Sequence, residues 1–255
     1  MIAYNELMTP EPPFHDGRDC CLFLDIDGTL LDIAPTPDAV RVDQSLRDLL
    51  RSLEHACHGA LALISGRTIP DIDDLFEPLF LPVAGVHGGE RRDGLGYWHR
   101  HARRTPEFDS FCGRLHAELA PFAGVIVEDK QISVALHYRL VPEMEGPLRK
   151  LLHRLKPEIP ASHEILEGNE VIELKPRASN KGDAIDDFMR EKPFAGRFPI
   201  FVGDDLTDEH GFDAVRRRGG LAVAVGSNVH SEWTLSNPDR VRRWLTAFVS
   251  RRMVA

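Results

Sequence analysis

Long apolar runs are missing from this chain. No uninterrupted stretch could span a bilayer, and no segment near Met1 reads as a signal peptide. Cysteine is scarce: Cys20, Cys21, Cys57 and Cys112 are the only four in 255 residues. Two of them are neighbours and no spacing resembles a zinc or redox pair. That argues against a disulfide framework and for reduced thiols. The histidines show no zinc-like spacing either. Basic charge is not in excess. A formal charge of −9 argues against a nucleic-acid surface, and the one basic cluster, Arg216-Arg217-Arg218, reads as a solvated helix end. There is no internal repeat and no low-complexity segment. These absences predict a cytoplasmic globular protein with neither a nucleic-acid nor a membrane partner. Its length can bury a large core as one domain or two. Residues Met1 to Arg18, with three prolines and few periodic apolar positions, read as a loosely held tail.

What is there is concentrated in Cys21-Leu22-Phe23-Leu24-Asp25-Ile26-Asp27-Gly28-Thr29-Leu30-Leu31. An apolar strand ends in two carboxylates one residue apart, then turns at Gly28. In a strand, alternation sends Asp25 and Asp27 to one face. Crowded acids repel and lose hydration, so they rarely serve stability. They suit divalent-metal binding and acid–base work.

The remaining pattern alternates strand and helix. Apolar strands are expected over Leu22–Ile26, Ala60–Ile64, Pro82–Val86, Pro199–Gly203 and Leu221–Val225, the last read as the final strand. Helices are expected over Asp43–Cys57, Ile69–Phe76, Lys181–Arg190 behind Asn180, a segment capped by Thr207, and Asp239–Met253. Such alternation predicts an α/β fold with a parallel sheet and right-handed crossovers. The character changes near Arg91. Gly96–Ala102 and Gly124–Arg139 contain strand-like segments. The alternating run Ile132–Tyr138 predicts an antiparallel sheet open on one side. Helical patterns cover Pro106–Leu119 and Pro142–Leu155, and a hairpin turns at Gly168-Asn169 within Glu164–Leu174. Residues 93–174 therefore read as a separate α+β domain inserted into a core made of 1–92 and 175–255.

Three core strands end in polar groups: Asp25 with Asp27, Ser65, and Asp204 with Asp205. Lys181 opens a helix. Ligands of open α/β sheets bind outside the carboxyl ends of the strands. Carboxylates for a hard cation, a hydroxyl and a fixed positive charge would thus meet in one cleft, as a site for a phosphoryl group with Mg²⁺.

Asp25-x-Asp27-Gly-Thr29, the strand-ending Ser65, Lys181 and Gly203-Asp204-Asp205 resemble the four signatures of the haloacid-dehalogenase-like phosphatases. Leu63-Ile64-Ser65-Gly66-Arg67, Ala84-Gly85-Val86-His87-Gly88, Ala135-Leu136-His137-Tyr138-Arg139, Glu173-Leu174-Lys175-Pro176 and Gly203–Glu209 resemble one branch, the trehalose-6-phosphate phosphatases. The likeness runs from about Cys20 to Leu245. It implies a Rossmann-like core with an α+β cap, and hydrolysis of trehalose 6-phosphate through an aspartyl phosphate. Asp25 would be the nucleophile and Asp27 the general acid and base. Asp25, Asp204 and the backbone carbonyl of Asp27 would hold Mg²⁺, with Asp205 orienting the site. Ser65 and Lys181 would bind the phosphoryl group. Arg67 would reach phosphate or sugar, or fix the loop after Ser65. Glu128, Lys130, Arg139 and Glu173 would meet the sugar hydroxyls. His87 is open between substrate contact and loop support. The family also implies a functional link to a trehalose-6-phosphate synthase.

Taken singly, these residues have plainer readings. Ser65 and Thr29 read as helix caps, Lys181 as a solvated lysine, Asp204-Asp205 as a turn, and Glu128 with Lys130 as a surface salt bridge. Their joint occurrence, in order, at strand ends and helix starts, favours chemistry. Two alternatives stay open: a phosphatase or mutase acting on another sugar phosphate such as sucrose 6-phosphate, and a catalytically silent carbohydrate-binding or regulatory subunit.

Overall fold

Buried parallel strands must be apolar on both faces, and the first strand, β1 (Cys20–Leu24), is buried along its whole length. In the computed structural model, which describes residues 11–14 and 19–252, it lies in the middle of the larger of two sheets. Along the chain follow α1 (Gln44–Ala56), β2 (Leu61–Ile64), α2 (Ile69–Phe76), β3 (Val83–Gly85), β4 (Glu90–Arg92) and β5 (Trp98–Arg100). Then come α3 (Pro106–Leu119), β6 (Ile126–Asp129), β7 (Val134–His137), α4 (Glu145–Leu155), β8 (His163–Gly168) and β9 (Val171–Pro176). The chain closes with α5 (Lys181–Phe188), β10 (Phe198–Gly203), α6 (Glu209–Arg217), β11 (Leu221–Val225), β12 (Trp233–Leu235) and α7 (Pro238–Arg252).

Among the described residues the larger sheet has eight strands in the order β12-β11-β10-β1-β2-β3-β4-β5, parallel from β12 to β3 and antiparallel from β3 to β5. The helices start where capping groups stand. Asp43 accepts the Leu46 N–H at α1, Thr68 the Asp71 N–H at α2, and Asn180 the Asp183 N–H at α5. Leu46, Leu50 and Leu53 of α1 then point one stripe into the core.

The second sheet, β6-β7-β9-β8, is antiparallel. One face carries Val134, Leu136, Ile172 and Leu174 into a separate core with Phe108, Phe111 and Leu115 of α3 and Leu148, Leu151 and Leu152 of α4. On the other face the register lines up Glu128, Ala135 and Glu173 across three strands. Alternation predicts that this face is open to water. It roofs a cleft instead, with Ala135 and Glu173 buried and only Glu128 half-buried.

Trp98–Arg100 pairs with Glu90–Arg92 as an antiparallel extension of the larger sheet, so residue 93, where the inserted unit is expected to begin, lies within the β4–β5 hairpin. Expectations about single elements are corrected. Leu221–Val225 is not the last strand, since Trp233–Leu235 pairs beside it. Thr207 is not a cap: Asp205 caps a short 3₁₀ turn, Leu206–Asp208, ahead of α6. Residues 142–144 form a 3₁₀ turn before α4, and Pro147 falls in the first turn of α4, where its missing N–H costs nothing. Of the expected tail, residues 1–10 and 15–18 lie outside the described residues. Within it, Phe14 stacks on Trp244 and the Pro12 carbonyl accepts the Trp244 indole N–H at 3.0 Å, so this part is held. Met253, expected in the closing helix, also lies outside the described residues. No helix among the described residues is long and apolar enough to cross a membrane.

Candidate active site

Asp25 is the residue after β1, Ser65 the residue after β2, and Asp204 the residue after β10. Register places these three ends side by side: Leu24 is opposite Leu63 on one flank and Val202 on the other. The groups scattered in sequence thus meet at one sheet edge. Lys181 opens α5 with its side chain buried. Its ammonium lies 2.6 Å from Asp25 Oδ1 and 2.7 Å from Asp208 Oδ1. Asp208 is fully buried, and its Oδ2 accepts the N–H groups of Asp204 and Asp205, both at 3.0 Å. Sequence position alone assigns Asp208 only a helix-dipole role, and the structure makes it the floor of the site.

Carboxylate oxygens of Asp25, Asp204 and Asp208 lie within 4.8 Å of one another. With all three acids ionised, one ammonium would leave two negative charges uncompensated on carboxylate oxygens, which is the ligand set that suits a hard divalent cation. The strain of this crowding shows in the acids. Burial, and then the neighbouring Asp208 and Asp204, push the Asp25 carboxyl well above its ordinary value despite Lys181. Burial, and then Asp208, push Asp204 up to about 6. Burial works against the Lys181 charge, but Asp208 and Asp25 outweigh it and hold the ammonium far above the usual lysine range. Thr29 donates its hydroxyl to Asp204 Oδ1 at 2.9 Å. Gly28 has φ 89°, and a Cβ there would stand 2.0 Å from Asp204 Oδ2, so only glycine permits this approach.

Asp27 lies outside the acidic cluster. Its carboxylate is gripped by Arg67 through two bonds, Nε to Oδ2 at 2.6 Å and Nη2 to Oδ1 at 2.8 Å. Arg67 is expected to reach substrate or fix its own loop; in this structure its guanidinium pairs with Asp27. Ser65 Oγ accepts the Arg67 N–H at 3.1 Å, which leaves its own proton available to another acceptor. Asp205 caps its 3₁₀ turn and lines the same cleft.

The second sheet brings the remaining expected residues above these. Lys130 Nζ donates to Glu173 Oε2 at 3.2 Å and to the Gly66 carbonyl at 2.9 Å, and lies 3.8 Å from Glu128 Oε2. Glu128 also meets His137 Nε2 at 2.7 Å. Burial disfavours the Glu173 charge, but Lys130 and then His87 outweigh it and hold the carboxyl well below its ordinary range. Arg139 donates to the carbonyls of Asn169 and Ala34, at 2.7 and 3.2 Å, and pairs with Glu170. It thus ties the β8–β9 turn to the loop after β1 at the mouth of the cleft. Tyr138 belongs to the smaller core, whereas His137 lines the cleft.

A parallel sheet whose neighbouring strands end in clustered acids, with a second α/β unit set over them, is a fold this chain shares with a phosphatase of the HAD superfamily from Bacteroides thetaiotaomicron, at a TM-score of 0.58 and 16% identity over 93% and 97% of the two chains. The family model for trehalose-phosphatase matches residues 23–242, and the chain belongs to that family. It is 46% identical over 226 residues to a "Probable trehalose-phosphate phosphatase" of Sinorhizobium fredii, covering 87% of this chain and 83% of the relative. It is 42% identical over 224 residues to the trehalose-6-phosphate phosphatase of Escherichia coli, covering 88% and 84%. The fold superposes on the C-terminal domain of the Candida albicans trehalose-6-phosphate phosphatase with a TM-score of 0.81, at 20% identity and over 95% and 98% of the two chains.

Proposed function

We propose that this protein is a Mg²⁺-dependent phosphatase that hydrolyses trehalose 6-phosphate to trehalose and phosphate. The observation that carries the reading is the buried group of Asp25, Asp204, Asp208 and Lys181 at adjoining strand ends, with Asp27 beside it. Family membership and the identity to the Escherichia coli enzyme support the substrate.

Asp25 is the nucleophile: a carboxylate oxygen bonds to phosphorus as the bond to the sugar oxygen breaks, giving an aspartyl phosphate. Lys181 holds Asp25 in place and offsets phosphate charge. Asp27 is paired with Arg67 as a carboxylate, so one oxygen must first be released by Arg67 and take a proton from solvent. Asp27 then gives that proton to the departing sugar oxygen and takes one from the water that cleaves the aspartyl phosphate. Ser65 donates its free hydroxyl proton to a phosphate oxygen. Mg²⁺, held by Asp25 and Asp204 with Asp208 as the third acid and the Asp27 carbonyl as a further ligand, would neutralise phosphate charge when bound. Asp205 orients the loop that carries Asp204.

The reading divides the chain into a core and a cap. Sheet membership supports placing the cap at about residues 104–176, later at both ends than 93–174. Glu128, Lys130, Arg139 and Glu173 are its sugar contacts. Carboxylates and cations already paired with one another must exchange those partners for hydroxyls when the disaccharide enters. A cytoplasmic location and supply of the substrate by a glycosyl-transferring synthase belong to the same reading. The test is phosphate release from a panel of disaccharide and monosaccharide phosphates, with and without Mg²⁺. Release from trehalose 6-phosphate that disappears with a chelator is expected. Preference for sucrose 6-phosphate, or no turnover by the purified chain, would replace this reading by one of its rivals.

A further inference from the structure

The turn after β3 holds three consecutive residues on the left-handed side of backbone space: Val86 at φ 47°, His87 at φ 54° and Gly88 at φ 94°. A β-branched residue there is an outlier, and such conformations persist only where their surroundings over-determine them. The surroundings are the loop after β2. The Val86 N–H donates to the Arg67 carbonyl at 2.8 Å and the His87 N–H to the Ser65 carbonyl at 2.9 Å. The turn is therefore fastened to the loop that carries Ser65 and Arg67.

The side-chain consequence is specific. The buried imidazole of His87 leaves the larger sheet and meets Glu173 of the smaller one, Nε2 to Oε2 at 3.3 Å. It lies so close over Gly66 that a Cβ there would come within 2.7 Å of Nε2. Lys130 closes the group from the other side, on the same Glu173 oxygen and on the Gly66 carbonyl. An ionised Glu173 has no proton to give, so His87 Nε2 carries the hydrogen and donates it. Nδ1 is then a bare acceptor, and it has no hydrogen-bond partner among the described residues. A cation in this place would face Lys130 and Lys181. A neutral ring gives one directed hydrogen bond without adding charge.

We infer that His87 is a positioning residue for sugar recognition. It fixes the Glu173 carboxylate relative to the Ser65 loop, so that the sugar-facing group of one sheet and the phosphate-facing group of the other keep one spacing. The inference rests on the trehalose 6-phosphate reading and on Glu173 as a sugar contact.

The test is steady-state kinetics on trehalose 6-phosphate and on p-nitrophenyl phosphate, for His87→Ala, His87→Asn, His87→Gln, Glu173→Ala and the His87→Ala/Glu173→Ala double variant. His87→Ala should lower the ratio of kcat/KM for the sugar phosphate over the aryl phosphate by about tenfold or more, through KM for the sugar phosphate. His87→Gln, which restores a donor of similar reach, should recover most of that loss. His87→Asn, which tolerates the left-handed turn but stops short of Glu173, should not, and it carries the comparison if the alanine variant does not fold. In the Glu173→Ala background, His87→Ala should change the ratio by less than about twofold. Equal losses on both substrates, additive effects in the double variant, or an unchanged ratio would overturn the inference. If the wild type instead prefers another sugar phosphate, the substrate reading fails alone, and the same ratio taken with that sugar phosphate decides the role of His87. Turnover of the aryl phosphate with no sugar phosphate accepted would overturn both.

Discussion

Asp208→Asn changes one atom at the floor of the site, and its cost can be worked out from the contacts. Oδ2 accepts two backbone N–H groups and Oδ1 faces the Lys181 ammonium, all of it buried. A carboxylate is an acceptor at both oxygens. An amide has one acceptor end, so whichever way the new side chain turned, its NH₂ would meet donors. If the oxygen kept the two backbone N–H groups, the amide nitrogen would point at the Lys181 ammonium. Disrupting one partner of a buried ion pair costs about 3–5 kcal/mol. For a chain of this length each kcal/mol lowers Tm by about 2–4 °C, so a fall of roughly 6–20 °C is expected. Thermal denaturation followed by circular dichroism, on chelator-treated protein so that metal linkage does not intervene, measures it. The neighbour supplies the control. Asp205 uses its side chain to cap a short turn, accepting backbone N–H groups, and asparagine caps as well as aspartate, so Asp205→Asn should stay within about 1 kcal/mol of wild type. A Tm for Asp208→Asn as close to wild type as that control would refute the argument that Asp208 is a structural acceptor for three donors.

Three further outcomes follow from the same geometry. Asp25→Asn should cut phosphate release by about a thousandfold or more while circular dichroism stays native, and appreciable turnover would remove Asp25 as nucleophile. Glu128→Ala and Glu173→Ala should each lower kcat/KM for trehalose 6-phosphate by about tenfold more than for p-nitrophenyl phosphate; equal losses would end the sugar-contact assignment. Asp204, whose carboxyl moves from an ordinary 3.8 up to about 6 in the folded protein, holds its proton more tightly folded than unfolded. Metal-free protein therefore loses the stabilising contribution of that proton as pH rises from about 4 through 6, while Mg²⁺ must displace the proton and binds more weakly below about pH 6. Titrations of Mg²⁺-dependent Tm at about pH 5 and about pH 7.5 check the sign, and tighter binding at the lower pH would contradict it.

The core was legible because its strands are apolar on both faces and its polar groups stand at their ends. Leu22-Phe23-Leu24 before Asp25, and Leu61–Ile64 before Ser65, each show strand, direction and site together. Asp208 was not legible as a site residue, because an acid in the first turn of a helix looks the same in sequence whether it faces water or a buried lysine 27 positions away. Nor was the grip of Arg67 on Asp27, a pair 40 residues apart whose meeting depends on two loops leaving neighbouring strands. Gly96–Ala102 reads as strand-like, but Glu90-Arg91-Arg92 is too short and too polar to read as its partner, so the pairing of Trp98–Arg100 with the edge of the larger sheet is not visible in the sequence. Trp233-Thr234-Leu235 is missed for the same shortness. In the smaller sheet, alternation showed that one face of β7 is polar. It could not show what lies beneath that face, since that depends on how the two sheets meet.

The strand that leads into Asp25 has one neighbour close behind it in the chain, β2, and another, β10, that arrives long after the whole second sheet has been made. During synthesis, then, Cys20–Leu24 waits with one flank bare until Phe198–Gly203 has left the ribosome. Until then it presents an unpaired apolar ribbon that other chains could join. Refolding from denaturant faces the same long closure and should be slow for the size of the protein. Truncation anywhere before Gly203 leaves that ribbon bare for good, so shortened products should precipitate rather than persist as weakly active fragments.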